Sequence, residues 1–520
     1  MSIFDPFPYG VSSSPLILFC TAVIFVSIAI IAIAAVIVLP IIAHRLLTRQ
    51  IPHNAPPEVR DNYPAIGPWG FWKRRWDWYK ECISQSQTGN FSFHAGPNLV
   101  VGLSGNTARK VFFESRQLRV AEGYSDIDGA PASVEKLHDG QETDEGIDKW
   151  FASRLSQLLK GPYLHNKLPD LKSNINESID TIQKEPSGII NVFDSMACAV
   201  YKLTMGTFGP NELLSDPKKL KQTQSLFGSI VSRASPISLL FPSLPSLGGF
   251  KRFYSGARVF FLLRGIIKKR TTSDKKPYDA MQVLLDQGHS VFRTTIFVFG
   301  AVFSGLVNST INAGWLISYL AAALEWQDKV RQEVRKVAAK YAQDTNAPLR
   351  KQLDDIPIEG WESEFPLINA CLRDLIRLHI LTIYFRKNMT SDDVPLGNGK
   401  EVIPGGAVVA YPSYDIHLDP EVYTNPYEWD PSRYMPDRAE DTKRPHGYVG
   451  WGSGMHPCLG IRFATLEITM VTAYFVASFD FQLVDQNGNR LFKVPDDDVN
   501  RRQVQLPKIL PYVKFTTRDK

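Results

Sequence analysis

The stretch WGSGMHPCLG, residues 451–460, surrounds a single cysteine with three glycines, a proline, a histidine and a tryptophan. A cysteine that only fills a core needs an apolar cavity, whereas glycines free the backbone for close approach of a large, flat ligand. Residues 459–479 have the apolar spacing of a helix. Cys458 is therefore predicted to lie at a helix N-terminus, where free N–H groups and the helix dipole stabilise a thiolate.

The wider pattern is W-x-x-G-x-H-P-C-x-G-x-x-x-A-x-x-E. It resembles the haem-binding loop of the cytochrome P-450 superfamily, whose usual form is F-x-x-G-x-R-x-C-x-G followed by x-x-x-A. A histidine in place of the usual arginine is similar to the sterol demethylases and their relatives, in which it contacts a haem propionate. The resemblance implies haem b with Cys458 as the axial ligand of the iron, together with four further haem-binding residues: Trp451, Gly454, His456 and Gly460. The alternative is an inert cysteine buried in a glycine-rich loop.

A second motif lies in CLRDLIRLH, residues 371–379, where the superfamily carries E-x-x-R. Asp374 and Arg377 are three apart and so share one face of a predicted helix. Arg433 in WDPSRY occupies the place of the arginine that completes this trio in the family, where the trio locks the haem loop and takes no part in chemistry. Because Asp is one methylene shorter than the usual Glu, its reach to Arg433 should be reduced. The alternative is a solvated helix pair.

Between these motifs, LTIYFRKN places Arg386 where relatives carry an arginine that binds a haem propionate. The planar donor fork of arginine suits a carboxylate. The alternative is an exposed arginine on a hairpin.

The run SGLVNSTINAGW, residues 304–315, corresponds to the family's oxygen-side helix with A-G-x-D/E-T-T. Ser304 and Asn308 are four apart and share a face, and the hydroxyl of Ser309 is close in sequence. Neither the acid nor the threonine is present, so Ser304, Asn308 and Ser309 are the candidate catalytic residues, with Asn308 ordering water. The run is similar to a branch that contains sterol hydroxylases and peroxide isomerases, and an Asn capping a core carbonyl is the structural alternative.

Composition excludes several classes of protein. The formal charge of +5 on 520 residues, without a long Lys/Arg block, does not support nucleic-acid binding. The five cysteines are scattered, which argues against a disulfide framework and against a zinc site. This cysteine usage is typical of a reducing compartment.

The N-terminal segment 15–43 contains no charged residue and is rich in Leu, Ile, Val and Ala. About 20 such residues cross a bilayer as a helix, so we expect a retained membrane anchor rather than a cleaved signal peptide or a core helix. Arg45 and Arg49 follow directly and, by the positive-inside rule, place the rest of the chain in the cytoplasm. The predicted location is the endoplasmic reticulum membrane, with a single pass.

This gives four predicted regions: a luminal stub at 1–14, the transmembrane anchor at 15–43, a basic, proline-rich hinge at 44–70 and one haem-thiolate catalytic domain at 71–520. On the cytoplasmic face, the glycosylation sequons at Asn90, Asn176 and Asn388 remain unmodified.

The resemblance implies a mainly α fold with small β-sheets, in which an α-rich helical domain and a β-rich region surround a buried haem. Patterning predicts long helices at about 291–324 and 367–378. The segment 389–412 is predicted to form a hairpin, because G-N-G-K and P-G-G separate β-prone residues. The proline-rich stretch 419–447 is predicted to be a long meandering loop.

The expected activity is that of a haem-thiolate monooxygenase. It would insert oxygen from O2 into a lipophilic terpenoid, sterol or polyketide of secondary metabolism, in a pocket lined by 124–132, Phe303, Val307 and 380–384. Electrons would come from NADPH through an NADPH-cytochrome reductase, with a cytochrome b-type protein as a further donor and Arg462 as a candidate docking charge. A reductase-independent isomerase or lyase acting on a peroxide, and a non-catalytic haem-binding protein, are the alternatives.

Overall fold

The computed structural model describes residues 50–63, 66–128, 146–231, 246–274, 276–500 and 506–518, with residue 240 and scattered positions between 19 and 43. The predicted luminal stub lies outside the described residues. Of the predicted anchor, only scattered positions are described; these are helical, and they expose large apolar side chains such as Phe19, Ile31 and Leu39.

Helices make up most of the described chain. In chain order they are α1 Trp69–Lys73, α2 Arg75–Gln85, α3 Gly105–Glu114, α4 Val120–Asp128, α5 Ile147–Lys160, α6 Pro162–Gln183, α7 Val192–Phe208, α8 Asn211–Leu214, α9 Pro217–Val231, α10 Leu247–Arg270, α11 Ala280–Asp286, α12 Val291–Ala322, α13 Leu324–Tyr341, α14 Leu349–Gln352, α15 Ile358–Ser363, α16 Pro366–His379, α17 Tyr414–His417 and α18 Ile461–Ser478.

The strands are short and form small sheets. They are β1 Phe91–Ala95, β2 Asn98–Gly102, β3 Leu118–Arg119, β4 Ile189–Asn191, β5 Ile383–Asn388, β6 Val394–Pro395, β7 Val402–Ile403, β8 Val408–Pro412, β9 Gly452–Ser453, β10 His456–Pro457, β11 Phe479–Val484 and β12 Tyr512–Thr517. Five of them form a sheet in the order β1-β2-β8-β5-β3, in which only β2 and β8 run parallel. A second sheet has the order β11-β12-β4, and β6/β7 and β9/β10 are separate antiparallel pairs.

Three helices, α7, α12 and α18, form the core behind the cysteine loop. The N-terminus of α12 is capped by Ser290, whose hydroxyl accepts from the Arg293 N–H. Gly314 allows the ring of Phe193 to approach α12, since a Cβ there would overlap the ring. The fully buried Trp315 contacts the same ring edge-on at 5.2 Å.

The predicted elements are confirmed. The two long helices are α12 and α16, within about two residues of the expected bounds. The predicted hairpin is the β6/β7 pair, and β8 continues from it into the large sheet. The stretch 419–447, which is described throughout, contains two short 3-10 helices, Pro431–Tyr434 and Glu440–Thr442, and otherwise irregular backbone.

Among the described residues, two helices are long and apolar enough to cross a membrane, α12 and α18. In each helix, more than half of the most apolar 18-residue stretch is buried inside the protein, which is the pattern of core helices. The predicted anchor thus stays a prediction from the sequence.

Candidate haem-thiolate site

The cysteine loop is a tight hairpin that leads into α18. Strands β9 and β10 pair antiparallel, and Gly452 and Gly454 adopt φ angles of +72° and +60°. Such angles are costly for residues with a Cβ, which explains the glycines. The Cys458 N–H donates to the Trp451 carbonyl at 2.7 Å, and α18 begins three residues after the cysteine.

Burial dominates the electrostatics of the cysteine itself. Partial burial raises the pKa of the Cys458 thiol, and a hydrogen bond from the Gly460 backbone lowers it by less. Burial therefore opposes the thiolate that the helix terminus was expected to stabilise. A bound metal cation would produce the thiolate, because coordination deprotonates a thiol.

Arg386 on β5 is a buried cation beside this loop. Its guanidinium donates to the Phe112 carbonyl and lies 4.5 Å from the centre of the Phe112 ring. Within the described chain no carboxylate lies at ion-pair distance from it. Burial lowers its pKa to about 10. It is therefore not the exposed hairpin arginine of the alternative interpretation.

His456 lies close enough to Arg386 for an electrostatic interaction between the two side chains. Burial lowers the pKa of His456, and the positive charge of Arg386 lowers it further. Two groups that can donate hydrogen bonds, one of them a charged guanidinium, therefore lie together beside the cysteine loop. Such a pair is suited to a carboxylate ligand.

These residues fit a haem b. Cys458 offers one thiol donor, and Arg386 with His456 offers partners for propionates. A Cβ added at Gly460 would meet nothing within 4 Å, so the backbone beside the cysteine is open to a flat ring system. A Cβ at Gly454, by contrast, would collide with the Phe113 carbonyl, so Gly454 serves the packing of the loop.

The structure brings the predicted lock together in the core. Arg377 Nε donates to Asp374 Oδ1 at 2.7 Å, and both side chains are fully buried. Asp374 also accepts from the Asp430 N–H at 2.7 Å and from the Tyr434 hydroxyl at 3.2 Å. The guanidinium of Arg377 donates to three carbonyls, that of His417 at the end of α17 and those of Pro426 and Glu428 in the meander. The solvated-pair alternative does not describe this geometry.

The third member, Arg433, is joined to the lock less directly. Its Nε lies 3.7 Å from Asp374 Oδ1, beyond hydrogen-bond distance, and has no hydrogen-bond partner. Its Nη1 pairs instead with Glu440 at 3.0 Å. The reduced reach expected of an aspartate is thus visible as a gap.

On α12, Ser304 and Asn308 are both exposed on one face of the helix, whereas Ser309 is buried. The Ser309 hydroxyl lies beside the carboxyl of Glu467 on α18, which also accepts from Thr204 Oγ1 of α7 at 3.0 Å. Ser309 is therefore placed apart from Ser304 and Asn308, because successive residues on a helix point about 100° apart. It serves the contact between α12 and α18.

Some of the residues expected to line the substrate pocket lie beside Ser304 and Asn308, and others do not. Phe303 and Val307 are half-buried on α12, next to the exposed Ser304 and Asn308. Tyr384 of β5 is engaged elsewhere, since its hydroxyl donates to the Val449 carbonyl at 2.7 Å. Of the predicted segment 124–132, residues 129–132 lie outside the described part of the chain.

Arg462, the candidate docking charge, is not a free cation. Its guanidinium forms a bidentate pair with Glu362, at 2.6 Å and 3.0 Å, and donates to the Leu159 carbonyl. Arg462 stays a candidate docking charge, but its guanidinium is already paired with a neighbouring carboxylate.

Three side chains at the site had no role in the sequence interpretation: Glu467, Thr204 and His446. Glu467 is the last letter of the loop pattern and so carried a signal, but a carboxylate on an apolar helix gave no indication of its partners. Burial raises its pKa to about 8.

Comparison with known proteins agrees with this geometry. The family model "Cytochrome P450" matches residues 64–501. Cytochrome P450 monooxygenase AacuE of Aspergillus aculeatus is 31% identical over 445 residues, which cover 85% of this chain and 89% of that protein. Obtusifoliol 14-alpha demethylase of Sorghum bicolor is 28% identical over 277 residues, 51% of this chain and 54% of that protein.

Among solved structures, retinoic acid-bound cyanobacterial CYP120A1 has a TM-score of 0.68 to this chain at 20% identity, and the match covers 89% of this chain and 100% of that one. Fold and site together define a haem-thiolate oxidoreductase of the monooxygenase type. The chain belongs to the cytochrome P450 family. The likeness to sterol demethylases, inferred from His456, extends over about half of the chain.

Proposed function

We propose that this protein inserts oxygen into a lipophilic small molecule, using electrons from NADPH delivered by an NADPH-cytochrome reductase on the same membrane. The observation that carries the proposal is the Cys458 hairpin at the start of α18, beside the buried cation of Arg386, which has no counter-charge among the described residues. The terpenoids, sterols and polyketides of secondary metabolism are the substrate classes, because the anchor and the apolar residues Phe303 and Val307 favour a compound that partitions into a bilayer.

When bound, haem ligated by a Cys458 thiolate supplies the oxidising chemistry, since electron donation from sulfur favours O–O cleavage. The protein's own residues do the rest. Arg386 and His456 would hold the propionates, and the open backbone at Gly460 would leave room for the ring.

Proton transfer at the α12 face that carries Ser304 and Asn308 would not use an acidic side chain of this motif. Ser304 and Asn308 are polar, neutral and on one face, so they can hold a water by hydrogen bonds but cannot supply a proton themselves. Proton transfer at this face therefore proceeds through water held by the Asn308 amide and the Ser304 hydroxyl.

The test uses the full chain in lipid nanodiscs with the reductase, NADPH and 18O2. Lipophilic compounds are first screened for a low-spin to high-spin shift of the haem spectrum, and those that bind are then turned over. We expect an NADPH-dependent product that carries one 18O atom. The matched variant Asn308→Thr restores the hydroxyl usual in the family and should raise the ratio of product to NADPH consumed.

Two results would overturn the proposal. Consumption of a lipid hydroperoxide without reductase, with no 18O in the product, would identify an isomerase or lyase instead. Normal haem loading with no spin shift from any compound, and no turnover, would indicate a non-catalytic haem-binding protein.

A further inference from the structure

A histidine of the meander, His446, contacts both the hairpin that carries Cys458 and the end of α3. Its Nδ1 lies 2.6 Å from Ser453 Oγ on β9, and its Nε2 lies 3.2 Å from Glu114 Oε1. A carboxylate can only accept a hydrogen bond, so Nε2 carries a proton and donates to Glu114, while Nδ1 shares a hydrogen bond with the Ser453 hydroxyl. One imidazole thus links the cysteine hairpin to a residue 332 positions away in the chain.

The backbone of His446 is held in an unfavourable conformation. Its φ angle of +52° lies in the left-handed region, which residues with a Cβ rarely adopt. Such a conformation persists only where the surroundings over-determine it. Here the ring also packs against Phe113, 5.3 Å between ring centres, so that three neighbours fix one side chain.

The end of α3 holds the hairpin at a second point. The Met455 N–H donates to the Phe113 carbonyl at 2.9 Å, and Gly454 approaches the same carbonyl too closely for any side chain. The neighbouring Phe112 carbonyl accepts from Arg386. The tip of the hairpin and the buried cation are therefore positioned by consecutive peptide groups of one helix end.

We propose that His446 is a positioning residue, which fixes the hairpin to α3 and thereby sets where the Cys458 sulfur lies relative to Arg386 and His456. This inference rests on the haem-thiolate role of Cys458 in the proposed function. It differs from the lock around Asp374, because that lock holds the meander to α16, whereas His446 holds the hairpin itself.

The test compares wild type with His446→Gly in the haem-loaded full chain. Glycine accepts the left-handed backbone, so this variant removes the side chain without adding strain. We expect amide hydrogen exchange at Met455 and Cys458 to become roughly tenfold faster, because a net hydrogen bond is worth about that factor. We also expect faster transfer of haem to an acceptor protein and a larger fraction of the reduced carbon-monoxide complex without the thiolate-type Soret band.

Two matched variants make the result specific. Ala439→Gly relieves another left-handed residue of the meander, with φ of +38°, and should leave all three readouts unchanged. Glu114→Ala removes the far partner of the imidazole, and its effect should be absent in the His446→Gly background, since both changes break one linkage. If amide exchange and haem retention in His446→Gly equal those of wild type, His446 does not position the hairpin. The same conclusion follows if the effects of His446→Gly and Glu114→Ala are fully additive in the double variant. Neither outcome depends on substrate turnover, so the failure of this inference and the failure of the proposed function are distinguishable.

Discussion

At the scale of single residues, the site contains two partly or fully buried groups, Arg386 and Cys458, whose burial a ligand would compensate. Arg386 is a cation buried without a carboxylate among the described residues, and burial of an unpaired charge is costly. Cys458 is a thiol whose pKa burial raises, at a position where the backbone leaves room for a flat ring. A haem, with an iron cation and two propionates, would compensate both groups at once.

The ligand assignment is testable at Cys458. Replacing the sulfur with oxygen in Cys458→Ser keeps the size of the side chain but removes the soft anionic donor. We expect the reduced carbon-monoxide complex of wild type to show the thiolate-type Soret band and the variant to lose it. Cys198→Ser, at an exposed cysteine on α7, is the control and should keep the band. An unchanged spectrum in Cys458→Ser would mean that another group binds the iron.

At the scale of elements, packing between helices decides how the loop is supported. The lock ties α16 to the meander through a buried aspartate with four donors around it, and one partner, Arg433, stays out of reach. Breaking a buried charged network by removing one partner costs about 3–5 kcal/mol.

Lengthening this aspartate by one methylene should therefore stabilise the protein. In Asp374→Glu the carboxylate can approach Arg433 Nε, which now has no hydrogen-bond partner, and the expected gain in the free energy of unfolding is about 1 kcal/mol. Asp374→Asn keeps the size but removes the charge, and should cost about 3–5 kcal/mol because two arginines stay buried. Denaturant unfolding measures both. A destabilised Asp374→Glu would show that the site has no room for the methylene.

The contact between α12 and α18 should make stability depend on pH. Burial raises the pKa of Glu467 to about 8, whereas the unfolded chain has the ordinary value of 4.5. Between these values the unfolded state has released a proton that the folded state keeps, so the free energy of unfolding falls as pH rises, by about 1.4 kcal/mol per pH unit at most.

Glu467→Gln is neutral at every pH and should lack this dependence. We expect the difference in denaturant midpoint between this variant and wild type to increase as the pH is raised from about 5 to about 8, and to stay constant above that pH. Glu359→Gln, on an exposed part of α15, controls for the loss of one carboxylate. Parallel pH curves for Glu467→Gln and wild type would show that Glu467 is ionised in the folded protein.

At the scale of the whole molecule, the remaining prediction concerns the membrane. The predicted orientation requires that the sequons carry no glycan, and the side-chain amides of two of them already form hydrogen bonds. Asn90 and Asn388 are buried, and their Nδ2 atoms donate to Glu401 and to the Asp392 carbonyl, both at 2.8 Å. Attached glycans would disrupt these bonds.

Removal of residues 1–43 should separate anchoring from haem binding. We expect the full chain to stay in membranes washed with alkaline carbonate and the shortened chain to be extracted, with its carbon-monoxide spectrum retained, because every residue assigned to the haem site lies beyond Phe303. Endoglycosidase treatment should not change the electrophoretic mobility of either protein, whereas a sequon inserted in the stub at 1–14 should be glycosylated. A shortened chain that stays in carbonate-washed membranes, or a glycan on Asn90, would contradict the predicted anchor or orientation.

Much of this protein could be predicted from local sequence. The loop of Cys458, the pair Asp374 and Arg377, and the long helix α12 are contiguous patterns, so their resemblance to the family's motifs implied the ligand, the lock and the oxygen-side helix. The same applies to the short reach of Asp374, which follows from the length of one side chain.

The tertiary structure decided what depends on contacts between distant segments. Only packing shows that Ser309 faces Glu467 instead of the face of Ser304 and Asn308, that Arg386 is buried without a counter-charge among the described residues, and that His446 joins the cysteine hairpin to α3. The physical reason is that burial and desolvation, which set pKa values and the cost of unpaired charge, are properties of the surrounding space and cannot be read from neighbours in the chain.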